Sequence, residues 1–105
     1  MDPKSFHILL VLARQPLHGY GIRQEVEAET EGRVRLWPAT LYGTLSALDD
    51  RGWIEETDSP SGPGDDPRRK YYALTAEGRS VLSAEAARLE GLARLARSRL
   101  VPGVG

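Results

Sequence analysis

The 105-residue chain contains no cysteine, which excludes disulfides, thiolate metal sites, iron–sulfur ligation and thiol nucleophiles together. Histidine is nearly as scarce. His7 and His18 are the only two, and neither has ligand partners at metal-site spacing, so no metal and no other cofactor is expected. The longest apolar run, Ile8 to Ala13, is six residues against the roughly 20 that a membrane span needs, and no signal-peptide pattern precedes it. A soluble, cytoplasmic chain with no membrane partner is the expectation. An enzyme is not expected either, because catalysis needs a convergent acid, base or nucleophile. The acidic residues fall on exposed faces or in a loop, no phosphate-binding glycine motif occurs, and His18 reads as a helix-start residue.

With 40% apolar and 28% charged residues, the chain fits one small globular domain. A core this thin often borrows stability from a partner chain. The net charge of −1 hides an asymmetry: residues 1 to 67 carry 6 Lys/Arg against 12 Asp/Glu, whereas residues 68 to 105 carry 8 against 3. A basic second part is compatible with a polyanion lying along one face, or with a simply solvated surface.

Phe6 to Ala13 predicts a first helix that ends before Gln15-Pro16, and its apolar residues lie almost all round the cylinder, so that something beyond the chain's own core is expected to cover its back. His18-Gly19 opens a second helix with a narrow stripe of Gly19, Ile22 and Val26, and Gly32 is its natural stop. Arg33 to Leu36 alternates polar and apolar residues as a very short strand would. Pro38 starts a third helix. There Leu41, Leu45 and Leu48 define the buried face, and Ala39, Tyr42, Gly43, Ser46 and Asp50 point the other way. Trp53 to Thr57 and Arg69 to Leu74 have strand composition and predict a hairpin, with Trp53 in the core beneath it. Its tip, residues 59 to 67, is too rich in glycine and proline for regular structure and is expected to be mobile. Thr75 caps a last helix that runs to about Leu100, roughly 39 Å at 1.5 Å per residue. Gly78 in its first turn implies close backbone packing.

That last helix carries Leu82, Ala86, Leu89, Ala93, Ala96 and Leu100 at alternating spacings of four and three, widened by Leu92 and Leu95. This is a heptad-like seam. It predicts a homodimer in which the seam, together with Phe6, Leu9 and Leu10 of the first helix, forms the interface.

The order helix, helix, short strand, helix, hairpin is that of a winged helix-turn-helix, and three motifs make the chain resemble the short form of the PadR family of bacterial transcriptional regulators. They are His18-Gly19-Tyr20-Gly21-Ile22; Thr40-Leu41-Tyr42-Gly43-Thr44-Leu45 followed by Leu48 and Gly52-Trp53-Ile54; and Arg69-Lys70-Tyr71-Tyr72-Ala73-Leu74-Thr75-Ala76-Glu77-Gly78. The resemblance implies a mainly α fold with a small β-hairpin. It divides the chain into a winged DNA-binding domain over residues 1–74 and a long C-terminal dimerisation helix over residues 75–105. It also implies a homodimer, sequence-specific binding to double-stranded DNA at an inverted repeat, and repression relieved in some members by a small molecule.

The residues fit that mechanism. Pro38 and the small side chains Ala39, Gly43 and Ser46 let the third helix approach base edges in a major groove about 12 Å wide, where Tyr42 reaches a phosphate or a base. Thr40 and the free N–H groups near the helix start suit a phosphate. By resemblance Tyr20 touches the DNA backbone, and Arg68, Arg69 and Lys70 of the wing supply cations. Family members often carry lysine or arginine where this chain has Ser46-Ala47-Leu48-Asp49-Asp50, and two carboxylates there repel phosphate, so affinity rests on the wing, the helix starts and Arg23, Arg33 or Arg35. Trp37 either packs beside the third helix or lines an inter-subunit cavity that takes an apolar, aromatic effector. The competing reading is a winged-helix dimer that binds a protein or a ligand without DNA.

Overall fold

Helix α1 (Pro3–Leu12) begins where the Asp2 carboxylate accepts the Ser5 N–H at 2.9 Å and Pro3 takes the first turn. The structure, a computed structural model, describes residues 1–66 and 68–102. After α1 come strand β1 (Leu17–His18), helix α2 (Gly19–Glu29), helix α3 (Pro38–Asp50) and strand β2 (Ile54–Thr57). A single 3-10 turn (Gly62–Gly64), strand β3 (Tyr71–Leu74) and helix α4 (Ala76–Leu100) complete the order. This is the mainly helical architecture with a β-hairpin that the sequence predicts, the hairpin being extended by β1 to a three-stranded sheet.

Two expectations are corrected. Ile8, Leu9, Val11 and Leu12 are all at most 2% exposed within the single chain, because α2, α3, β3 and the start of α4 surround α1. The chain therefore covers most of its own first helix and leaves open only the stripe of Phe6 and Leu10. Leu9 has no surface to offer a partner, while Phe6 is half-buried and Leu10 is 38% exposed. The second correction concerns the third strand. Arg33 to Leu36 does alternate outward and inward, ending on buried Leu36, but among the described residues it pairs with no strand. Its Val34 N–H is taken by the Thr30 hydroxyl at 3.0 Å instead. The ladder position belongs to β1, which pairs antiparallel with β3 (Leu17 opposite Tyr72, His18 opposite Tyr71) in a sheet of order β1-β3-β2.

Helix α2 stops three residues before Gly32, and the chain reverses through left-handed conformations at Glu31 (φ 53°) and Gly32 (φ 79°), where the Gly32 N–H donates to the Glu27 carbonyl at 2.8 Å. The segment expected to lack regular structure contains the 3-10 turn, tied by the Ser59 hydroxyl donating to the Asp65 carboxylate at 2.7 Å. Trp53 is half-buried beneath the wing with the Arg51 guanidinium 4.9 Å over its ring.

Helix α4 leaves the body. Thr75 starts it, donating to the Gly52 carbonyl at 2.6 Å and accepting the Gly78 N–H at 3.0 Å. Gly78 is buried against the Trp53 carbonyl, and Leu82 packs on the core. Past Leu82 almost every residue of α4 is exposed. The radius of gyration is 16.5 Å against roughly 13 Å for a compact chain of this length, and the long axis is 62 Å. Among the described residues no helix is long and apolar enough to cross a membrane.

Candidate nucleic-acid interface

His18 sits at the joint of strand and helix, and its Nδ1 caps α2 by accepting the Gly21 N–H at 3.0 Å. Its ring lies parallel to Tyr20, with centroids 6.4 Å apart, and meets Tyr71 edge-on at 5.3 Å. The next residue, Gly19, faces Tyr42 of α3 so closely that a Cβ there would stand 2.7 Å from the phenol oxygen. The absence of a side chain at Gly19 thus lets the Tyr42 ring lie over the start of α2. Both phenols remain open to solvent, Tyr20 at 60% and Tyr42 at 54% exposure.

The wing closes the other side. His18, Gly19, Tyr20, Tyr42 and the run Arg68, Arg69 and Lys70 line one cleft of about 350 Å³. Three segments far apart in sequence meet there, held together by the β1–β3 pairing. Sequence reasoning placed the two tyrosines and three cations on the site but not His18 as part of its floor. The signal it lacked was the two-residue strand that seats His18 beside Tyr71.

Each wing cation is paired with a carboxylate of its own chain. Arg68 makes two bonds of 3.2 Å to Asp66, Arg69 lies 3.6 Å from Asp65, and Lys70 lies 3.7 Å from Glu56. The Ser59 hydroxyl, then that of Tyr71, holds the Asp65 carboxyl down at about 2, and the Arg68 side chain lowers Asp66. The Arg68 and Lys70 pairs are open to water, with the Arg68 side chain 88% exposed, whereas the Asp65 side chain beside Arg69 is only 13% exposed. Exposed pairs contribute little stability, so a phosphate can take the place of the carboxylate at Arg68 and at Lys70 without large loss. Close by, burial and the neighbouring Glu56 carboxylate push the Tyr72 phenol up.

Not all of the expected site gathers here. Ala39 and Ser46 are exposed beside Tyr42, as are Pro38, Asp49 and Asp50. Thr40 and Gly43 lie on the other flank of α3, where with Thr44 and Ala47 they line a separate groove of about 980 Å³ against Ala84 and Arg88 of α4. Trp37 is in neither. It is 57% exposed at the N-cap of α3 with the Arg23 guanidinium 5.4 Å over its ring, so it does not pack beside α3 as one reading of the sequence expected.

Gly19→Ala should displace Tyr42 from the cleft, because the phenol is the flexible partner. We expect duplex DNA binding to weaken by about tenfold, or ~1.4 kcal/mol, with thermal unfolding changed by no more than about 1 kcal/mol. Equal affinity in the variant would remove Tyr42 from the contact surface.

Three helices, a wing built from β2 and β3, and a cleft bringing α2, α3 and the wing to one face define a winged helix-turn-helix protein. The match to known proteins is specific: residues 8–84 fit the transcriptional regulator PadR-like family. The chain belongs to that family. A PadR family transcription regulator from Clostridium difficile R20291 shares the fold, with a TM-score of 0.78 at 22% identity over 95% of this chain and 100% of that one. Bacillus subtilis PadR in complex with operator DNA superposes with a TM-score of 0.66 at 26% identity, covering 78% of this chain and 45% of its own. A 37.1 kDa protein in transposon TN4556 of Streptomyces fradiae is 36% identical over 87 residues, 80% of this chain, and this chain spans only 23% of its length.

Proposed function

We propose that the protein binds double-stranded operator DNA as a homodimer, with residues 1–74 forming the winged DNA-binding domain and residues 75–105, through helix α4, joining the two copies. The observation that carries this reading is the convergence of Tyr20, Tyr42, Arg68, Arg69 and Lys70 on one cleft. Its chemistry suits a duplex: aromatic hydroxyls and exchangeable cations for phosphates, flanked by the small side chains Ala39 and Ser46 for close approach to a groove. Similarity to a relative bound to operator DNA supports the same reading.

Two-fold symmetry then sets the site as an inverted repeat, with the two α3 helices entering major grooves about 34 Å apart. A repressor role, released by an apolar or aromatic effector, is the regulatory half of the proposal. The groove between α3 and α4 supports it, because it joins the helix that reads DNA to the helix that joins the copies, and it includes Trp53. Effector binding there is expected to change Trp53 emission, in place of the Trp37 site that the sequence suggested.

The exposed Asp49 and Asp50 on α3 favour the competing reading, a dimer that binds protein or ligand without DNA. Selection of bound fragments from the parent genome separates the two. Recovery of a common inverted repeat supports DNA binding, and recovery of no enriched sequence at low salt favours the alternative.

A further inference from the structure

Trp37 and Arg23 lie outside the cleft. An indole 57% exposed is a large apolar surface left in water, and it lies at the N-cap of α3, where it makes no side-chain capping bond. Over it, at 5.4 Å, lies the guanidinium of Arg23. Stacking of this kind holds an arginine in one orientation, leaving the edge of its donor fork free for two oxygens of a phosphate. Of the cations expected on the DNA-facing side, Arg23 differs from the three of the wing: among the described residues it has no carboxylate within ion-pairing distance, whereas Arg68, Arg69 and Lys70 are each paired. The pair is also continuous with the cleft. Arg23 is three residues beyond Tyr20 on α2, so the two side chains are neighbours on one helix face, and Tyr20 lines the cleft with Tyr42 and the wing. The surface runs from the wing cations through two phenols to a stacked arginine and indole. Trp37 does not line the groove between α3 and α4.

We propose that Trp37 and Arg23 form a second backbone clamp on the DNA, at the opposite end of the surface from the wing. Arg23 pairs with a phosphate, and the Trp37 indole both holds the guanidinium and packs against the adjoining deoxyribose. The inference rests on the DNA-binding reading and extends the contact beyond the cleft. Such a clamp offsets the repulsion from Asp49 and Asp50, because it places a cation at the start of α3, at the other end of that helix from the two carboxylates. It also reads no bases, so it acts equally on every sequence.

The two residues predict separable signatures. With a recovered genomic fragment and a random duplex of the same length as probes, Trp37→Ala should weaken binding to both by about tenfold. It removes no charge, so the slope of log K against log salt should stay the same. Arg23→Ala should weaken both and flatten the slope by about two, one released phosphate contact per subunit. Trp37→Phe should restore part of the affinity, and the change in tryptophan emission on adding DNA should be smaller in that variant than in the wild type. Unchanged affinity of Trp37→Ala for both duplexes would overturn the clamp while leaving wild-type binding intact. A Trp37→Ala protein that sediments as a monomer would overturn it as well, by placing the indole between subunits. Failure of the wild type to bind either duplex would overturn the DNA-binding reading itself, and the clamp with it.

Discussion

Replacing Leu89 and Leu92 together by glutamate is expected to turn the protein into a folded monomer that no longer holds DNA. In the single chain these side chains are 39% and 49% exposed, Leu95 is 44% and Leu100 is 79%, so none of them supports the chain's own core. That core is closed by Ile8, Leu9, Ile22, Leu45, Leu48 and Ile54, all at most 2% exposed. The apolar stripe on α4 therefore has work to do only against another molecule, and its alternation of leucine with Ala86, Ala93 and Ala96 suits the close approach of a second copy. Two glutamates per chain place four carboxylates in the shared seam. Burying unpaired charge costs several kcal/mol per group, more than a seam of this size returns. Sedimentation at micromolar concentration should change from dimer to monomer while the helical circular dichroism persists. A variant that stays dimeric would move the interface elsewhere, to Phe6 and Leu10 among other exposed apolar residues.

The second large effect is expected at Gly78. The first turn of α4 crosses so close to the strand entering the wing that a Cβ at this position would run into the Trp53 carbonyl, and it would stand 2.8 Å from a Leu74 methyl. A carbonyl in the backbone cannot rotate away as a side chain can. Gly78→Ala gains about 1 kcal/mol in helix propensity, yet overpacking of this kind costs about 1–3 kcal/mol and more where backbone must shift. A net loss of about 2 kcal/mol should lower the melting temperature by roughly 10 °C. Gly91, later in the same helix, has nothing within 4 Å of its missing Cβ, so Gly91→Ala should raise stability by about 1 kcal/mol. Thermal unfolding of the two variants side by side tests the difference. A Gly78→Ala protein as stable as the wild type would mean that α4 can lift away from the wing.

The two glycines show how much of the structure the sequence made legible. Helical spacing marks Leu41, Leu45 and Leu48, and a glycine in a first turn marks a close crossing, because both signals are local and repeat or break a period. The cover of α1 was not legible. An apolar residue on every side says that a helix is enclosed, and only the path of α2, α3 and α4 says whether its own chain or a partner encloses it. The strand at Leu17–His18 was hidden for another reason: two residues carry no period, and what makes them a strand is the pairing with Tyr71 and Tyr72 more than fifty residues later. That same pairing draws His18 and Tyr20 to the wing, so the tyrosines and cations of the cleft could be named from sequence while their meeting could not. Arg33 to Leu36 shows the converse, a true alternation with no neighbouring strand to pair with.

The most direct test of a two-fold DNA-binding protein is the salt dependence of its affinity for a recovered genomic fragment, in the wild type and in Lys70→Ala. With about three phosphate contacts per subunit, through Lys70, Arg23 and the other basic and hydroxyl groups of that face, the dimer makes about six. Log K should then fall against log salt with a slope near −5. Lys70→Ala should weaken binding to all sequences and flatten the slope by about two, one contact from each subunit. A slope unchanged by the substitution would remove the wing from the contact, and wild-type binding indifferent to salt would contradict the account as a whole.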